Sequence, residues 1–586
     1  MVMGTTADLF FDPRRVPFSR RGAWFNLSPV VAPHTVADHL HLVAHQHRMT
    51  PVLELVPLDA RGVPVTTRVT GTPSLLRWEA DAGHVEAVYE SARTLRLRGE
   101  GLGFALRDGV PEAPFAGSHF FTDPVDGAYV FSSHETGVRF RVTVLRGTAT
   151  TGEAPGSRTG VLLSAAGPWE VAVEELGTAR RPYRPEHDFD TAERHTAAEF
   201  RAFADAVAGW RTDGTPAAEA AAHVLWSAMV RPDGFVTREA ALMSKHWMDR
   251  VWSWDNCFNA LALAPGLPGT ALDQLRLLFD HQDESGALPD LVGHSLVSRA
   301  YVKPPVHGWA FARLRALLPP LTRDELGYFH ERLARLTDFW LTSRRVPGHR
   351  LAHYQHGNDS GWDNATVFAD GAAMETPDLA TLLVLQLRVL HGLAVELDDD
   401  RAGRWAAEAR DMTDALLTDL WDGADFTSLR ADDGTRHTSR SLLRLLPVVA
   451  GDVLGPEVTA RLAHLVAGHL TPHGLATEHT GSPAYEADGY WRGPVWGPPT
   501  VLVEQGLRTA GFTERADTLS ASFRRLCETS GFAENFDALT GEGLRDRAYT
   551  WTAACYLLLA REHVERERSA HAAHAAHGTH ADAAPA

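Results

Sequence analysis

The spacing of apolar residues divides the chain into two parts. In the first part apolar and polar residues alternate, most clearly where Val138, Phe140, Val142 and Val144 are separated by arginine and threonine. Period two is typical of a strand with one buried face, and glycine-containing turns recur here at strand-like intervals. Residues 1–190 are therefore predicted to form an antiparallel β-sandwich.

Helical spacing replaces this alternation after residue 190. Phe200, Phe203 and Val207 recur at three- and four-residue intervals, which predicts a linker helix over 191–214. About a dozen helices with alternating short and long connections follow over 215–564, and they suit a toroid of six helix pairs whose long loops meet around a funnel. The predicted helices are 215–229, 255–263, 270–284, 307–318, 323–344, 376–395, 402–420, 437–449, 456–467, 496–510, 513–529 and 548–562.

The last residues, 565–586, have low complexity. His571, His574, His577 and His580 recur at every third position among alanines. Such histidines could chelate a metal, but a solvated, disordered tail is the interpretation that we favour.

Composition and charge narrow the class of protein. The chain has 586 residues, of which 44% are hydrophobic and 22% charged, the ordinary balance of a soluble globular protein. Its net charge of −18 disfavours nucleic acid as a partner. No run approaches the roughly 20 apolar residues of a membrane helix, so no membrane partner is expected.

The cysteines and the N-terminal residues indicate a compartment. Cys257, Cys527 and Cys555 stand far apart without a CxxC pair, which disfavours both a disulfide framework and a zinc ribbon. No basic flank precedes a long apolar stretch near the start, so no secretory signal is predicted. A reducing cytoplasm is the expected location, and no metal motif stands out.

Tryptophan is frequent and unevenly placed. The chain has 16 tryptophans against 10 tyrosines. Seven of these sixteen tryptophans lie in segments that also carry carboxylates, whereas a core-filling role would spread them through the helices. Aromatic faces stack on sugar rings and carboxylates bind paired hydroxyls, so the clustering favours a sugar site over a packed aromatic corner. The segments are 247–256, 357–366, 490–496 and 531–551.

Six motifs follow one another within residues 252–543. They are Trp252-Ser253-Trp254-Asp255, Gly286–Pro289, Pro304–Trp309, Asp359–Asn364, Tyr490–Trp496 and Glu534–Gly543. In this order they resemble glycoside hydrolase family 63 and its relatives, which include mannosylglycerate and glucosylglycerate hydrolases, processing α-glucosidases and, more distantly, trehalases. The motifs at Tyr490–Trp496 and Glu534–Gly543 are the most specific.

This resemblance implies an all-α (α/α)6 barrel catalytic domain behind the sandwich, inversion at the anomeric carbon and no cofactor. Asp363 matches the general acid of the family and Glu534 its general base. The candidate substrate-binding residues are Trp252, Trp254, Asp255, Gln282, His307, Trp309, Asp359, Trp362, Tyr490, Trp491, Arg492, Gly493, Trp496 and Trp551.

Inverting hydrolysis sets requirements that these carboxyl groups can meet. One must be protonated to donate to the leaving oxygen, and the other ionised to activate water. We expect aromatic surroundings, Trp362 included, to raise the pKa of Asp363, and we expect Glu534 to be ionised and more solvated. Asp359 is a rival acid that we expect to hold sugar hydroxyls, and Glu542 is a rival base in a glycine-rich turn that suggests a structural role.

The leaving group is less clearly indicated. Lys303 and Arg299 could bind an anionic aglycone such as glycerate, and ion pairing with Asp290 or Glu284 is an equally good interpretation. The predicted activity is therefore that of an inverting, exo-acting hydrolase of an α-glucoside or α-mannoside of a small sugar, an oligosaccharide or glycerate. Its expected partner is a small carbohydrate, and self-association is left open.

Two alternatives to a hydrolase remain at this point. A phosphorylase or an epimerase can share the fold class. A phosphorylase would need a glycine-rich phosphate cradle, which we do not find in the sequence. An epimerase would need histidine bases, and it could use His281, His294, His307 or His356. A non-catalytic carbohydrate-binding protein would be expected to lack one of the two carboxylates, and both are present.

Overall fold

The N-terminal part of the chain is a β-sandwich. The computed structural model describes residues 9–109, 118–133, 137–154, 158–178 and 181–581. Two antiparallel sheets have the strand orders β1-β2-β3-β8-β13-β12 and β4-β5-β6-β7-β14-β11-β10-β9. These strands are β1 (Phe25–Ala32), β2 (Thr35–Ala44), β3 (Thr50–Leu58), β4 (Arg68–Gly71), β5 (Leu76–Ala80), β6 (Gly83–Ser91), β7 (Thr94–Glu100), β8 (Gly103–Asp108), β9 (Ser118–Thr122), β10 (Tyr129–Ser133), β11 (Arg139–Arg146), β12 (Ala149–Ala154), β13 (Arg158–Leu163) and β14 (Trp169–Leu176).

Alternation along the strands produces the core between the sheets. Phe140 and Val142 of β11 are buried, and Val142 lies opposite Val173 of β14, which confirms the strand predicted there. Phe104 of one sheet stacks on Trp169 of the other with ring centroids 5.8 Å apart. The two sheets thus bury one continuous apolar layer.

Helices form most of the remaining chain. Short strands in the loops are β15 (Met229–Val230), β16 (Ala240–Ala241), β17 (Val251–Trp252), β18 (Leu291–Val292), β19 (Val297–Ser298), β20 (Met374–Glu375), β21 (Ser428–Arg430), β22 (Arg436–His437), β23 (Leu470–Thr471), β24 (Gly474–Leu475), β25 (Asn535–Phe536) and β26 (Gly543–Leu544). The helices are α1 (Phe189–Ala208), α2 (Ala218–Ala228), α3 (Asn256–Leu263), α4 (Pro268–Asp280), α5 (His307–Leu317), α6 (Arg323–Ser343), α7 (Gly357–Ser360), α8 (Pro377–Glu396), α9 (Ala402–Ala415), α10 (Gly451–Leu454), α11 (Pro456–Ala467), α12 (Gly497–Thr509), α13 (Thr513–Ser530) and α14 (Thr550–Ala581), with the 3₁₀ helices η1 (Thr366–Phe368) and η3 (Leu442–Ala450) and the π-helical turn η2 (Leu416–Leu420).

Six of these elements close into an inner ring. In order, α3, α5, α8, η3, α12 and α14 each pack against the next, and α14 packs against α3. The helices α2, α4, α6, α9, α11 and α13 precede them one by one along the chain and lie outside. This arrangement is the toroid of six helix pairs that the sequence predicts.

Helix α8 owes its apolar character to its place in the inner ring. By length and composition it could cross a membrane, with a mean hydropathy of 1.5 over its most apolar window. Two thirds of that window (67%) is nevertheless buried inside the protein, where α8 packs against α5, α6 and α9. Core packing accounts for the sequence of this helix.

Three helical predictions differ from the structure. The linker helix α1 ends at Ala208, ahead of the breaks at Gly214 and Pro216. The helix predicted at 437–449 is the 3₁₀ segment η3, because Pro447 within it lacks an amide hydrogen. The tail predicted to be disordered is wrong as far as Ala581, since α14 continues to that residue; the remaining five residues lie outside the described part.

Buried polar contacts join the sandwich to the helical domain. The Asn26 side-chain amide donates to the Lys245 carbonyl at 2.6 Å, and Lys245 Nζ donates to Ser19 Oγ at 3.0 Å. His45 Nδ1 lies 3.0 Å from Asp249 Oδ2. Burial, with a smaller effect of nearby arginine, lowers the pKa of Lys245 well below its usual range. The amine is therefore held against neutral partners without a carboxylate.

Candidate active site

The tryptophan-rich segments meet at the N-terminal ends of the inner helices. Asp255 is the N-cap residue of α3, Thr376 that of α8 and Trp496 that of α12. Helix α14 begins at Thr550, directly after the segment that carries Glu534. Because helix N-termini carry partial positive charge, this end of the ring favours negatively charged groups.

Five tryptophans at this end pack into one group, which we call the tryptophan cluster: Trp254, Trp362, Trp491, Trp496 and Trp551. Trp491 stacks on Trp496 with centroids 4.0 Å apart and an interplanar angle of 4°, and Trp254 meets Trp551 edge-on at 5.4 Å. All five are almost fully buried, so the cluster forms a rigid aromatic wall beneath the site.

The partly exposed Trp252 lies apart from this cluster. It belongs to β17 and pairs with Leu291 of β18. Its partly exposed ring keeps it available to a ligand, which the predicted sugar contact requires.

Close contacts fix the loop that carries Asp363. Gly361 has φ +73°, and a Cβ there would lie 2.6 Å from Trp254. Asn364 accepts a hydrogen bond from the Trp491 amide at 3.0 Å and donates to the Gly489 carbonyl at 3.0 Å. Asn364 therefore joins the two loops that bring Asp363 and the tryptophan cluster together, a role that the sequence did not reveal although the residue belongs to a quoted motif.

Asp255 and Asp363 both have raised pKa values. Burial, reinforced by the negative charges of Asp363 and Asp290 and opposed by Lys303, raises the pKa of Asp255 to about 8, and Asp255 Oδ2 has no hydrogen-bond partner in the described part of the protein. Burial also raises the pKa of Asp363, against the positive charges of Lys303 and His356. The predicted direction for Asp363 is confirmed.

Glu534 does not match its predicted environment. It is only 2% exposed, and burial, followed by the negative charge of Asp546, raises its pKa to about 8. Arg545 and a hydrogen bond with Tyr490 oppose that rise. Its amide donates to the Asp546 carbonyl at 2.7 Å, and its own carbonyl accepts from the Trp551 indole. The prediction of a solvated, ionised Glu534 is wrong, because the side chain is buried and burial raises its pKa.

Tyr490 lies among three of the carboxyl groups. Its pKa is well above the usual range because of burial and the negative charges of Glu534, Asp363 and Asp255, in that order. The Arg545 guanidinium lies 4.9 Å from the centre of its ring. The charges of carboxyl groups from three different loops therefore act on one phenol.

Asp546 is a further acidic residue behind Glu534, and no motif pointed to it. It accepts from Ser244 Oγ at 2.6 Å and from the Ala548 amide at 3.0 Å, and it lies 2.9 Å from His246 Nδ1. Burial opposes ionisation, but the charge of His246 and these hydrogen bonds outweigh it and lower the pKa of Asp546. The ionised Asp546 thus holds the Glu534 segment and sets its electrostatic environment.

Asp359 serves the loop rather than the open pocket. Its oxygens accept from the Val302 amide at 3.1 Å, the Gln355 amide at 2.9 Å and the Arg344 guanidinium at 2.7 Å. It is 1% exposed, and the prediction that it holds sugar hydroxyls stays a prediction. Its acceptor capacity is taken by the protein itself.

Lys303 and Arg299 follow the ion-pairing interpretation. Lys303 Nζ lies 3.2 Å from Asp290 and donates to the Asn358 carbonyl at 2.6 Å. Arg299 lies 3.5 Å from Asp283, a different acid from those considered in the sequence.

Gln282 and His307 support the loops of the site. Gln282 donates to the carbonyls of Gly286 and Arg332 at 2.9 and 3.0 Å. His307 Nε2 lies 3.0 Å from the Ser253 carbonyl, and burial lowers the pKa of His307 to about 4. Gln282 Oε1 and His307 Nδ1 have no hydrogen-bond partner among the described residues, and the sugar contacts predicted for both side chains stay predictions.

The remaining candidates occupy three different environments. Trp309 donates to Gln505 at 2.8 Å within the inner ring and lines a cavity with residues of α8 and α14, and its predicted sugar contact stays a prediction. Arg492 is paired with Glu486 at 2.9 Å. A Cβ on Gly493 would lie 2.1 Å from the Glu486 carbonyl oxygen, which explains glycine there. In the described ranges no group of three metal-ligating side chains occurs.

An (α/α)6 toroid with acidic residues and tryptophans at one end of its inner ring has the architecture of a carbohydrate-cleaving enzyme. The family model described as "Mannosylglycerate hydrolase MGH1-like glycoside hydrolase domain" matches residues 248–552, more than half of the chain. The chain belongs to this family and is a glycoside hydrolase of the family 63 type.

Similar proteins agree with this assignment. The mannosylglycerate hydrolase of Rubrobacter radiotolerans is 27% identical over 400 residues, covering 52% of this chain and 89% of that protein. The mannosylglycerate hydrolase of Thermus thermophilus is 41% identical over 80 residues, covering 14% of this chain and 19% of that protein.

Two solved structures show the same fold. A family 63 mannosylglycerate hydrolase from Thermus thermophilus, in complex with glucose, has a TM-score of 0.52 at 22% identity and covers 57% of this chain and 98% of its own. A bacterial glucoamylase complexed with acarbose has a TM-score of 0.62 at 11% identity and covers 96% of both chains. The prediction of a sandwich followed by an (α/α)6 barrel is confirmed.

Proposed function

We propose that this enzyme hydrolyses the α-glycosidic bond of a small glucoside or mannoside from its non-reducing end, with inversion, using Asp363 as acid and Glu534 as base. The observation that carries the proposal is that Asp363, Glu534 and Asp255, from separate loops, all lie near enough to Tyr490 for their charges to raise the pKa of its phenol. Convergence of acidic groups from separate loops is what a two-carboxyl displacement by water requires.

The glycon is proposed to bind between Asp255 and Trp252. Asp255 has a buried oxygen without a partner, and a sugar hydroxyl would satisfy it. Trp252 presents a partly exposed ring beside it. The names of the relatives support mannose or glucose as the sugar, since two are mannosylglycerate hydrolases and one structure holds glucose.

The pKa of Glu534 bears on the two catalytic roles. With a pKa of about 8, roughly one tenth of the unliganded molecules have an ionised Glu534 at pH 7. Only this fraction can act as the base. The same pKa favours a second assignment, in which Glu534 is the acid and Asp363 the base, and the two assignments predict different mutant behaviour.

The test uses Asp363→Asn and Glu534→Gln on α-linked disaccharides and on the matching α-glycosyl fluorides. Fluoride leaves without a proton, so the acid variant should keep fluoride turnover while losing the disaccharide by orders of magnitude. The base variant should lose both. Proton NMR of the first-formed sugar should show the β anomer.

Glu542→Gln is the matched control, because Glu542 is exposed in its turn and should leave turnover near that of the parent enzyme. The proposal is refuted if both site variants hydrolyse disaccharides at the parent rate. Fluoride turnover kept by Glu534→Gln and lost by Asp363→Asn would reverse the two roles.

A further inference from the structure

We propose that the β-sandwich is a structural part of the active site, because it positions Glu534 through the loop of residues 243–250, which we call the coupling loop. His246 is the positioning residue of this loop. The inference deepens the proposed function and rests on it in one respect only, that Glu534 is one of the two catalytic carboxyl groups.

The coupling loop is closed by its own backbone. The Met243 amide donates to the Arg250 carbonyl at 2.9 Å, and the Ser244 amide donates to the Met248 carbonyl at 3.0 Å. The Thr550 amide, at the start of α14, donates to the Met243 carbonyl at 2.8 Å. Because hydrogen bonds hold the loop together, a shift imposed on one of its faces is carried to the other.

Three side chains at alternate positions of the coupling loop face the sandwich: Lys245, Trp247 and Asp249. Lys245 makes the contact with the sandwich that was described with the fold. The Trp247 ring lies 5.1 Å from the ring of His34, between their centroids, and His34 belongs to the turn between β1 and β2. The Asp249 carboxylate lies 3.0 Å from His45 Nδ1, directly after β2. The sandwich thus holds one face of the loop at several points.

Asn26 of β1 is the sandwich residue that bears most directly on His246. Its side-chain amide donates at 2.6 Å to the Lys245 carbonyl, which belongs to the peptide bond preceding His246. The same amide nitrogen lies 3.0 Å from His45 Nε2. Asn26 therefore fixes the main chain of the coupling loop where His246 leaves it.

The intervening side chains of the loop, Ser244 and His246, face the segment that holds Glu534. Ser244 Oγ donates to Asp546 Oδ2 at 2.6 Å, and His246 Nδ1 lies 2.9 Å from Asp546 Oδ1. An ionised carboxylate only accepts, so Nδ1 of His246 carries the hydrogen. The Asp546 carbonyl in turn accepts from the Glu534 amide at 2.7 Å. Asp546 therefore binds the loop with its side chain and Glu534 with its main chain.

This path from the sandwich to Glu534 is buried. Its members Asn26, Lys245, His246 and Asp546 are each at most 2% exposed. Close packing leaves little room to absorb a shift between them. A catalytic group displaced by about 1 Å can lose about 100-fold in rate. A change at Asn26 should therefore reach Glu534 and lower turnover.

The first test measures hydrogen exchange of the peptide that contains Glu534, and it needs no substrate. Asn26→Leu keeps the branched shape of the side chain and removes the donor to the Lys245 carbonyl. Exchange of the Glu534 peptide, measured relative to α9 in the same molecule, should become about tenfold faster, because the hydrogen bond between Glu534 and Asp546 opens more often.

Thr196→Val is the matched control. Thr196 Oγ1 of α1 donates to the Tyr89 carbonyl of the sandwich at 2.8 Å, in buried surroundings. Like Asn26→Leu, this change removes one buried donor to a backbone carbonyl of another element and keeps the size of the side chain. Exchange of the Glu534 peptide and kcat should both stay within about twofold of the parent values.

The second test is a double-mutant cycle on kcat and KM with a hydrolysed substrate. Asn26→Leu and His246→Leu should each lower kcat about 10- to 100-fold and leave KM within about threefold, because Glu534 is displaced while the sugar contacts remain. The double variant should lose no more than the more damaging single variant, since both break the same path. His246→Asn keeps a donor at the position of Nδ1 and should restore kcat to within about threefold of the parent.

The outcomes separate this inference from the proposed function. The inference is overturned if Asn26→Leu matches Thr196→Val in either measurement, or if the losses in the double variant multiply. If the intact enzyme hydrolyses no substrate, the proposed function fails and the exchange comparison still decides the inference. If His246→Leu does not fold, Asn26→Leu against Thr196→Val decides alone. If Asn26→Leu does not fold, Trp247→Leu, which removes the partly exposed contact with His34, takes its place in both tests.

Discussion

Replacing Tyr490 by phenylalanine removes a single hydroxyl that hydrogen-bonds to Glu534 and favours its ionised form. A hydrogen bond to a charged group is worth about 1.5–3 kcal/mol, and about 1.4 kcal/mol corresponds to one pKa unit. The pKa of Glu534, about 8 in the parent enzyme, should therefore rise by about one to two units. At pH 7 the ionised fraction should fall about 10- to 100-fold.

The assay is kcat/KM against pH from 5 to 10.5 for the parent enzyme and Tyr490→Phe. If Glu534 is the base, the variant should lose about 10- to 100-fold at pH 7, because fewer molecules have Glu534 ionised while Asp363 is protonated, and the limb near pH 8 should move up by about one to two units. Near-ultraviolet circular dichroism checks that the tryptophan cluster is intact. An unmoved limb would refute the role given to Tyr490, and a moved limb without loss of activity at pH 7 would make Glu534 the acid.

Three further changes should have measurable effects. Gly361→Ala places a Cβ against Trp254, so it should lower the unfolding free energy by about 1–3 kcal/mol and also lower activity. Gly348→Ala is the control: Gly348 has φ +90° and no neighbour within 4 Å, so this variant should show only the cost of the backbone conformation. Urea denaturation compares the two variants. Asp359→Asn leaves a buried arginine uncompensated and should cost about 3–5 kcal/mol, seen as a lower Tm. Lys245→Met should stabilise the protein at pH 7. The pKa of Lys245 is depressed in the folded protein, so the unfolded chain binds more protons and the unfolding free energy of the parent should rise toward pH 10. Denaturation at pH 7 and pH 9 should show that the unfolding free energy of the variant depends less on pH.

Periodicity predicted the helices well where local signals agreed with tertiary packing. Helix α11 was predicted at 456–467 and has those ends, because Pro456 suits a first turn and Gly455 and Gly468 flank it. The tail beyond 564 misled because low complexity was taken as disorder, whereas its alanines have high helix propensity and extend α14.

The candidate site was predictable in its motifs and not in its supporting contacts. The motifs predicted that the tryptophans and Asp363 belong to the site, because these residues lie close together in short segments of sequence. The residues around Glu534 could not be predicted from the sequence. Asp546, which neighbours Glu534, contacts His246, and these two residues are 300 positions apart in the sequence. Burial of Glu534 likewise depends on which loops close around it, and a motif carries no information on that.

The ring of inner helices is completed by α14, since it packs against α3, α12, α13 and the first barrel helix, α2. During synthesis the segments bearing Asp255 and Asp363 emerge long before α14 exists. The pocket can therefore assemble only after α14 has left the ribosome. A protein ending ahead of Thr550 would expose the apolar flanks of four helices, so premature termination should yield aggregation-prone material rather than a partly active hydrolase.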